Sequence, residues 1–329
     1  MEQRTLHAYM TPLTVHRIVM PTPYGVGPVN AYLIEAAPLT LVDAGFQTEE
    51  SKATFIAQLA DAGHEPPDIK RVLITHGHPD HYGLVPWLQE MDVAIHFPER
   101  ELERMTGKGM RTHFGRLLLQ AGMPVDLLIK MDERRKQDPR PWLDIPSLKP
   151  VRDGDVFGFT DFTLEAHHMP GHSGGHFVYF EPDSRTLFAG DQLLPHVSPN
   201  PLLEPSLEDH TERRRSLVDY LDTLDRLKKM EPTIAYPGHS DPIEDVAGLI
   251  DRTAAHHLDR KGQVAGLLTD RPQSPYELAR QMYPDVTGYD VFLSVSEVVA
   301  HLDLVADDDG AVIEERDGIT YYLSATRSG

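Results

Sequence analysis

The sequence predicts a layered α/β protein with a helical insertion and a small separate unit at its C-terminal end. Three observations carry this expectation. Short apolar runs recur over residues 13–245, and several end in Gly followed by a histidine or aspartate, as strands do when they hand over to loops along one edge. Segments with one apolar stripe at helical spacing alternate with these runs. From Val246 the order changes to helix, helix, helix, hairpin.

Residues 13–20, 29–35 and 39–42 read as three early strands separated by Pro/Gly turns. A helix follows. Thr48 is its expected N-cap, Glu49 and Glu50 suit its positive end, Gly63 can close it, and Phe55, Ile56 and Leu59 form its inward stripe. The run 71–75 reads as a strand, 82–90 as a helix and 93–97 as a strand. Asp153-Gly154-Asp155 and Pro182-Asp183-Ser184 have the composition of hairpin turns. Residues 206–230 read as one long amphipathic helix with Leu217, Tyr220, Leu221, Leu224 and Leu227 packed on the core.

Residues 99–150 interrupt this alternation with helical composition. They carry Met105, Met110, Met123 and Met131, with Phe114, Leu117, Leu118, Leu127 and Leu128 as further apolar surface. Two roles fit: a lid that supplies an adaptable apolar wall to a substrate, or a packing or dimerisation pair of helices. Deleting the segment separates them, because a lid predicts weakened substrate binding with the oligomer intact.

In the tail, Ser274-Pro275 is a strong helix start. Residues 290–304 read as a third helix, and Arg316-Asp317-Gly318 as the turn of a terminal hairpin. This order is similar to a winged helix. Residues 251–329 hold 14 acidic and 7 basic residues, and 290–304 contain no Lys or Arg. A groove-reading helix needs basic side chains for phosphates and guanine, so packing or dimerisation is favoured over DNA binding. The division expected is therefore 1–245 as the main domain and 246–329 as a winged-helix-like domain, with the insertion and the tail as the segments able to mediate a homodimer.

The chain has 329 residues, enough for one large domain and a small one, and a formal net charge of −20, which disfavours a general polyanion binder. It has no cysteine, which excludes disulfides, thiolate metal sites and a cysteine nucleophile. The N-terminus, with Glu2 and Arg4, has no secretory apolar core, and no run reaches the length of a spanning helix. A cytoplasmic protein with no membrane partner is expected.

The chemistry concentrates at Thr75-His76-Gly77-His78-Pro79-Asp80-His81, where three histidines and an aspartate fall within six positions directly after Val72-Leu73-Ile74. Imidazole and carboxylate are ligands for a borderline divalent metal. Three further fragments, Pro170-Gly171-His172-Ser173, Ala189-Gly190-Asp191 and Pro237-Gly238-His239-Ser240, repeat the pattern downstream, each after a short apolar run. Loops at strand ends are where chemistry sits on a rigid scaffold.

On these residues, and on Asp43 within Leu41-Val42-Asp43-Ala44-Gly45, the chain resembles the metallo-β-lactamase superfamily over about residues 13–245. The Pro-Gly-His motifs resemble its glyoxalase II-like branch, and the tail is similar to that of its ribonuclease-like branch. The resemblance implies an αββα sandwich with the metals at one edge. It also implies that His76, His78 and His172 hold one ion, that Asp80, His81 and His239 hold a second, and that Asp191 bridges them. Two cations sharing a carboxylate can share a hydroxide, which then serves as the nucleophile. Asp80 could orient it and pass a proton to the leaving group, and Asp43 could fix a ligand imidazole. His168 and His176 are expected to be structural. Tyr24, Tyr32, His196 and His210 could reach a substrate. Nitrogen and oxygen donors suit zinc, with manganese or iron acceptable.

The function implied is a dinuclear metal-dependent hydrolase acting on a small ester, lactone or thioester. The alternative is a phosphodiesterase or ribonuclease that uses the tail to bind nucleic acid. A glutathione thioester is disfavoured by the tail, and no flavin segment is present.

Overall fold

The computed structural model describes residues 13–106, 110–137, 148–206, 208–209 and 211–325, without the side chains of 103–106, 110–112 and 134–137. Glu2, Arg4, His210 and the side chains of Met105 and Met110 therefore lie outside the described residues.

Two sheets form the centre. The first holds β1 (Val15–Met20), β2 (Val29–Ile34), β3 (Thr40–Val42), β4 (Arg71–Leu73), β5 (Ala94–Pro98) and β6 (Lys149–Val151) in sequence order. Its first three strands are antiparallel and the rest run parallel. The second holds β7 (Val156–Gly158), β8 (Thr163–His168), β9 (Phe177–Glu181), β10 (Thr186–Gly190) and β11 (Ile234–Pro237), antiparallel except for the parallel pair β10–β11. Tyr32, Ile34, Val42 and Leu73 of one sheet meet Leu164, Ala166, Tyr179 and Phe188 of the other in a shared core. β2, β9 and β10 are buried along their whole length, as strands covered on both faces must be.

Helices cover the outer faces, completing the αββα sandwich. α1 (Glu49–Asp61), α2 (Pro79–Tyr82) and α3 (Val85–Gln89) pack on the first sheet through Phe55, Leu59, Tyr82, Val85 and Leu88. Thr48 caps α1 by accepting from the Ser51 N–H at 3.1 Å. Ile56 is exposed, so the inward stripe of α1 is narrower than the sequence suggested. The expected helix at 82–90 is also broken. The Gly83 and Leu84 amides donate to Gly45 O and Ala44 O instead of to a helical turn. A Cβ at Gly83 would lie 2.4 Å from Gln47 N, so only glycine lets the chain approach this closely.

Two other expectations are corrected. Asp153-Gly154-Asp155 is not a hairpin turn: β6 belongs to the first sheet and β7 to the second, so the turn carries the chain between layers. The long helix begins at Ser216, as α7 (Ser216–Met230), because 205–213 close an antiparallel bridge between Pro205 and Arg213. Its apolar stripe packs on the second sheet as expected, with Leu217, Tyr220, Leu224 and Leu227 buried. The Pro182-Asp183-Ser184 hairpin joins β9 to β10.

The tail follows the expected order: α8 (Val246–Leu267), α9 (Pro275–Met282), α10 (Tyr289–Asp307), then β12 (Ala311–Arg316) paired with β13 (Ile319–Ser324). Ser274 and Glu277 form a capping box at α9, and Asp317 and Gly318 both take positive φ at the hairpin turn. α10 is buried along both sides.

The insertion comprises α4 (Glu99–Thr106), α5 (Met110–Gln120) and α6 (Val125–Gln137). Phe114, Leu117, Leu118, Met123, Leu127, Leu128 and Met131 share one core with Val264, Leu278 and Phe292 of the tail, and Tyr276 N–H donates to Ala121 O. Of the two roles left open for this apolar surface, a lid or a packing pair, the structure spends it on packing against the tail.

At the junction of α8, α10 and the loop after β10, the tautomers are fixed in series. His301 Nδ1 donates to Glu297 O at 2.7 Å, and its Nε2 lies 3.3 Å from His257 Nδ1. His257 Nε2 in turn accepts from Ser198 Oγ at 2.7 Å. Burial and the adjacent His301 push His257 down from 6.5 to about 3. Above pH 6.5 the group is neutral folded and unfolded. Below it the unfolded chain takes up a proton that the folded chain refuses until about pH 3, so stability falls across that window. In urea unfolding, wild type is expected to lose about 1 kcal/mol more than His257→Gln between about pH 7.5 and about pH 5.5. Equal losses in the two proteins would show that His257 does not titrate this way.

Candidate metal centre

Four loops converge at one edge of the sandwich. The loop after β4 supplies His76 and leads into α2, whose N-cap is His78 and whose single turn carries Asp80 and His81. The loop after β8 supplies His172, the end of β10 supplies Asp191 and the end of β11 supplies His239. β8, β10 and β11 run in the same direction, so their C-terminal ends share that edge.

The ligand atoms fall into overlapping groups, each spanning no more than 4.8 Å: His76, His78 and His172; Asp80, His81 and His239; and His76, His81 and Asp191. His78 Nδ1 lies 2.9 Å from Nε2 of both His76 and His172. Asp191 stands between the groups, its Oδ1 3.4 Å from His81 Nε2 and its Oδ2 3.5 Å from His172 Nε2 and 3.7 Å from His239 Nε2. Asp80 Oδ2 is 3.4 Å from His239 Nε2. All seven side chains named from the sequence are therefore brought together.

The surroundings set which nitrogen carries the proton. The Asp43 carboxylate receives the Thr75 N–H at 2.8 Å, the Thr75 hydroxyl at 2.9 Å and His81 Nδ1–H at 2.7 Å. Thr75 Oγ, committed to Asp43 as donor, accepts from His76 Nδ1 at 3.1 Å. His239 Nδ1 donates to Pro28 O at 2.8 Å. In these three rings the outer nitrogen carries a proton and Nε2 is turned inward, the orientation that metal-bound histidines need once a cation takes the place of any proton on Nε2. Among the buried polar atoms without a hydrogen-bond partner are His81 Nε2, His239 Nε2 and Asp191 Oδ1, all facing this volume. Orphaned lone pairs on hard donors fit a divalent cation, which would satisfy them together.

The electrostatics point the same way. Burial opposes charge on His81, yet Asp191 and Asp43 outweigh it and hold its pKa well above 6.5. Burial also opposes charge on His239, which Asp191 and Asp80 raise. Burial raises the Asp191 carboxyl, but His81 and His239 outweigh it and hold it well below 3.8. His76 is pushed well below 6.5 by burial and by the neighbouring rings, and His172 is lowered by burial. Positive charge is thus stabilised beside the three aspartates, while His76 and His172 are kept neutral, with lone pairs free for a cation.

The remaining sequence candidates separate clearly. His168 Nε2 donates to Gly174 O, and His176 stacks on His76 and accepts from the Asp191 N–H, so both support ligands, as expected. Tyr32 is buried between the sheets with its hydroxyl donating to Pro237 O, so it faces no substrate. Tyr24 stands edge-on to Phe46 and is partly exposed, and His196 is exposed. Sequence reasoning missed Glu101, Glu204 and Arg214, which hold the His172 loop by its backbone. Nothing in the local sequence marks them, because a buried Glu or Arg reads like a solvated one.

A family model for the metallo-beta-lactamase superfamily matches residues 24–239. The chain belongs to the metallo-β-lactamase superfamily. It is 33% identical over 325 residues to the probable metallo-hydrolase YqjP of Bacillus subtilis, covering 97% of this chain and 100% of that one. Among solved structures it resembles a metallo-beta-lactamase family protein of Thermus thermophilus, with TM-score 0.79 and 28% identity over 94% of this chain and 98% of that one. An atrochrysone carboxyl ACP thioesterase of Paecilomyces divaricatus is 32% identical over 115 residues, 35% of this chain and 32% of that one. As a member of this superfamily the chain is a metal-dependent hydrolase. Among the described residues no helix is long and apolar enough to cross a membrane.

Replacing Asp43 by Asn tests the tautomer argument. The amide can still accept from Thr75, but its N–H₂ opposes His81 Nδ1 and moves the ring proton to Nε2, where the lone pair is needed. Zn²⁺ affinity is expected to fall about 10- to 100-fold. Competition with a chelating dye reads this directly, and wild-type affinity in the variant would refute it.

Proposed function

We propose that the chain is a dinuclear metal hydrolase that cleaves a small carbonyl ester, lactone or thioester. The observation that carries the reading is the pair of three-ligand groups flanking Asp191, in a superfamily of metallo-hydrolases. His76, His78 and His172 would hold one ion, Asp80, His81 and His239 the other, with Asp191 between them. Zinc suits the all-nitrogen and oxygen donor set, with manganese or iron as alternatives. When bound, two such cations acidify an attacking water and polarise the substrate's acyl oxygen.

The protein's own residues do the rest. Asp43, Thr75 and Pro28 O hold the ligand rings with Nε2 inward, so the site is organised before substrate arrives. Asp80 is the catalytic residue: a carboxylate whose Oδ2 faces His239 at 3.4 Å can accept a proton from the attacking water and release it to the leaving group. No serine or cysteine nucleophile is required.

Support for carbonyl over phosphodiester chemistry comes from three sides. The thioesterase similarity covers residues of this chain, though only 115 of them. The net charge is −20. Of the tail, α10 is buried on both sides, and residues 290–304 offer no Lys or Arg to a phosphate backbone. We read residues 246–329 as a winged-helix-like unit retained for packing, against α7 and the insertion, or for homodimer contact.

The test is hydrolysis by the zinc- and manganese-loaded protein of an aryl ester, a lactone, a thioester, an aryl phosphodiester and single-stranded RNA. Turnover is expected on a carbonyl substrate and should fall at least about 10²-fold in Asp80→Ala. Turnover confined to the phosphodiester or RNA would overturn the reading.

A further inference from the structure

The loop 171–175 carries His172 but has no regular structure of its own, so something else must fix the ring. Two carboxylates from distant parts of the chain do so. Glu101, on α4 of the insertion, is fully buried, and its Oε1 accepts from Ser173 Oγ at 2.5 Å and from the Gly175 N–H at 2.9 Å. Glu204, between β10 and α7, is also buried, and its Oε2 accepts from the Gly174 N–H at 3.2 Å. Arg214 closes the ring of contacts, with Nη2 donating to Gly171 O at 2.9 Å and to Glu204 Oε2 at 3.3 Å, while Nη1 reaches Asp219 at 3.2 Å.

The packing leaves the loop no slack. A Cβ on Gly175 would lie 2.7 Å from Glu101 Cγ and from its backbone N, and one on Gly171 would lie 2.5 Å from Tyr220 Cδ2. Unlike His81 and His239, His172 has no direct outer partner: its Nδ1 is buried without a hydrogen bond. Its orientation therefore depends on the backbone around it. Burying two carboxylates is costly unless their bonds are made, and here the bonds go to the residues that follow His172.

We propose that Glu101, Glu204 and Arg214 are positioning residues that clamp the His172 loop, and so set the affinity of the His76/His78/His172 position independently of the Asp80/His81/His239 position. The inference rests on the dinuclear reading above. It gives the insertion a role at the site that is not a lid: α4 delivers one jaw of the clamp. The segment that follows Asp191 delivers the other.

The experiment measures Zn²⁺ content of the full-length protein by equilibrium dialysis against buffered free zinc, with Glu101→Gln, Glu101→Ala, Glu204→Ala and His172→Ala beside wild type. Wild type is expected to bind two ions and His172→Ala to lose one of the two affinities. Glu101→Ala and Glu204→Ala should weaken that same ion about 10- to 100-fold and leave the other within about threefold. Glu101→Gln keeps an acceptor oxygen for Ser173 and Gly175 and should be restored towards wild type. Circular dichroism melts of the metal-free proteins identify a variant that fails to fold. Ser173→Ala removes one bond from the same loop and is expected to weaken the same ion more mildly. Equal weakening of both ions, or no weakening in any Glu101, Glu204 or Ser173 variant, would overturn the clamp while leaving the dinuclear reading intact. A wild-type chain that binds fewer than two ions would overturn the dinuclear reading, and the clamp with it.

Discussion

The register between the two sheets along one edge is the constraint on which the site depends. His76, His78, Asp80 and His81 come from the first sheet, while His172, Asp191 and His239 come from the second. Neither sheet alone carries a complete group. Polar contacts cross the seam: the Phe177 N–H donates to Thr75 O at 2.8 Å, the Tyr179 hydroxyl to Ile74 O at 2.7 Å, and Asn30 to Pro237 O and Ser240 O at 3.0 and 2.7 Å. Each joins backbone next to one ligand to an element of the opposite sheet. The shared core beneath, from Tyr32 to Phe188, keeps water from competing for them.

On that seam the polar groups are arranged by proton placement. One carboxylate, Asp43, holds His81 directly and His76 through the Thr75 hydroxyl, and it adopts positive φ to do so. The cost of a non-glycine residue in that region is of order 1 kcal/mol or more and persists only where surrounding bonds over-determine it. The result is a cluster of Nε2 lone pairs with acidic charge gathered on one side. Such a cluster is unfavourable by itself in a buried setting and favourable around cations.

The insertion and the tail are parts of this construction more than additions to it. α5 and the tail share one core, α10 packs on α7, and Arg213 and Arg215 pair with Asp303 and Asp307 of α10. Arg214, between those two arginines, turns the other way into the His172 loop. A single stretch of chain therefore reads the tail on one side and the His172 loop on the other.

The sequence by itself determined which side chains could hold metal ions and most strands and helices, since both are written locally. HGHPDH, the three Gly-led fragments and the capping signals at Thr48 and Ser274 act within a few residues, and the structure reproduces them. What failed were features decided by contacts distant in sequence. The helix over 82–90 breaks because Gly83 must touch Gly45, the turn at Asp153 changes sheets because β6 finds β5, and the Met- and Leu-rich insertion packs on a tail more than a hundred residues away. Glu101, Glu204 and Arg214 were illegible for the same reason. Their roles lie in hydrogen bonds to backbone amides and carbonyls of another segment, and a backbone group has no signature in the sequence. Composition and spacing name the atoms that can hold a metal, whereas the packed tertiary structure alone decides which other atoms hold them still.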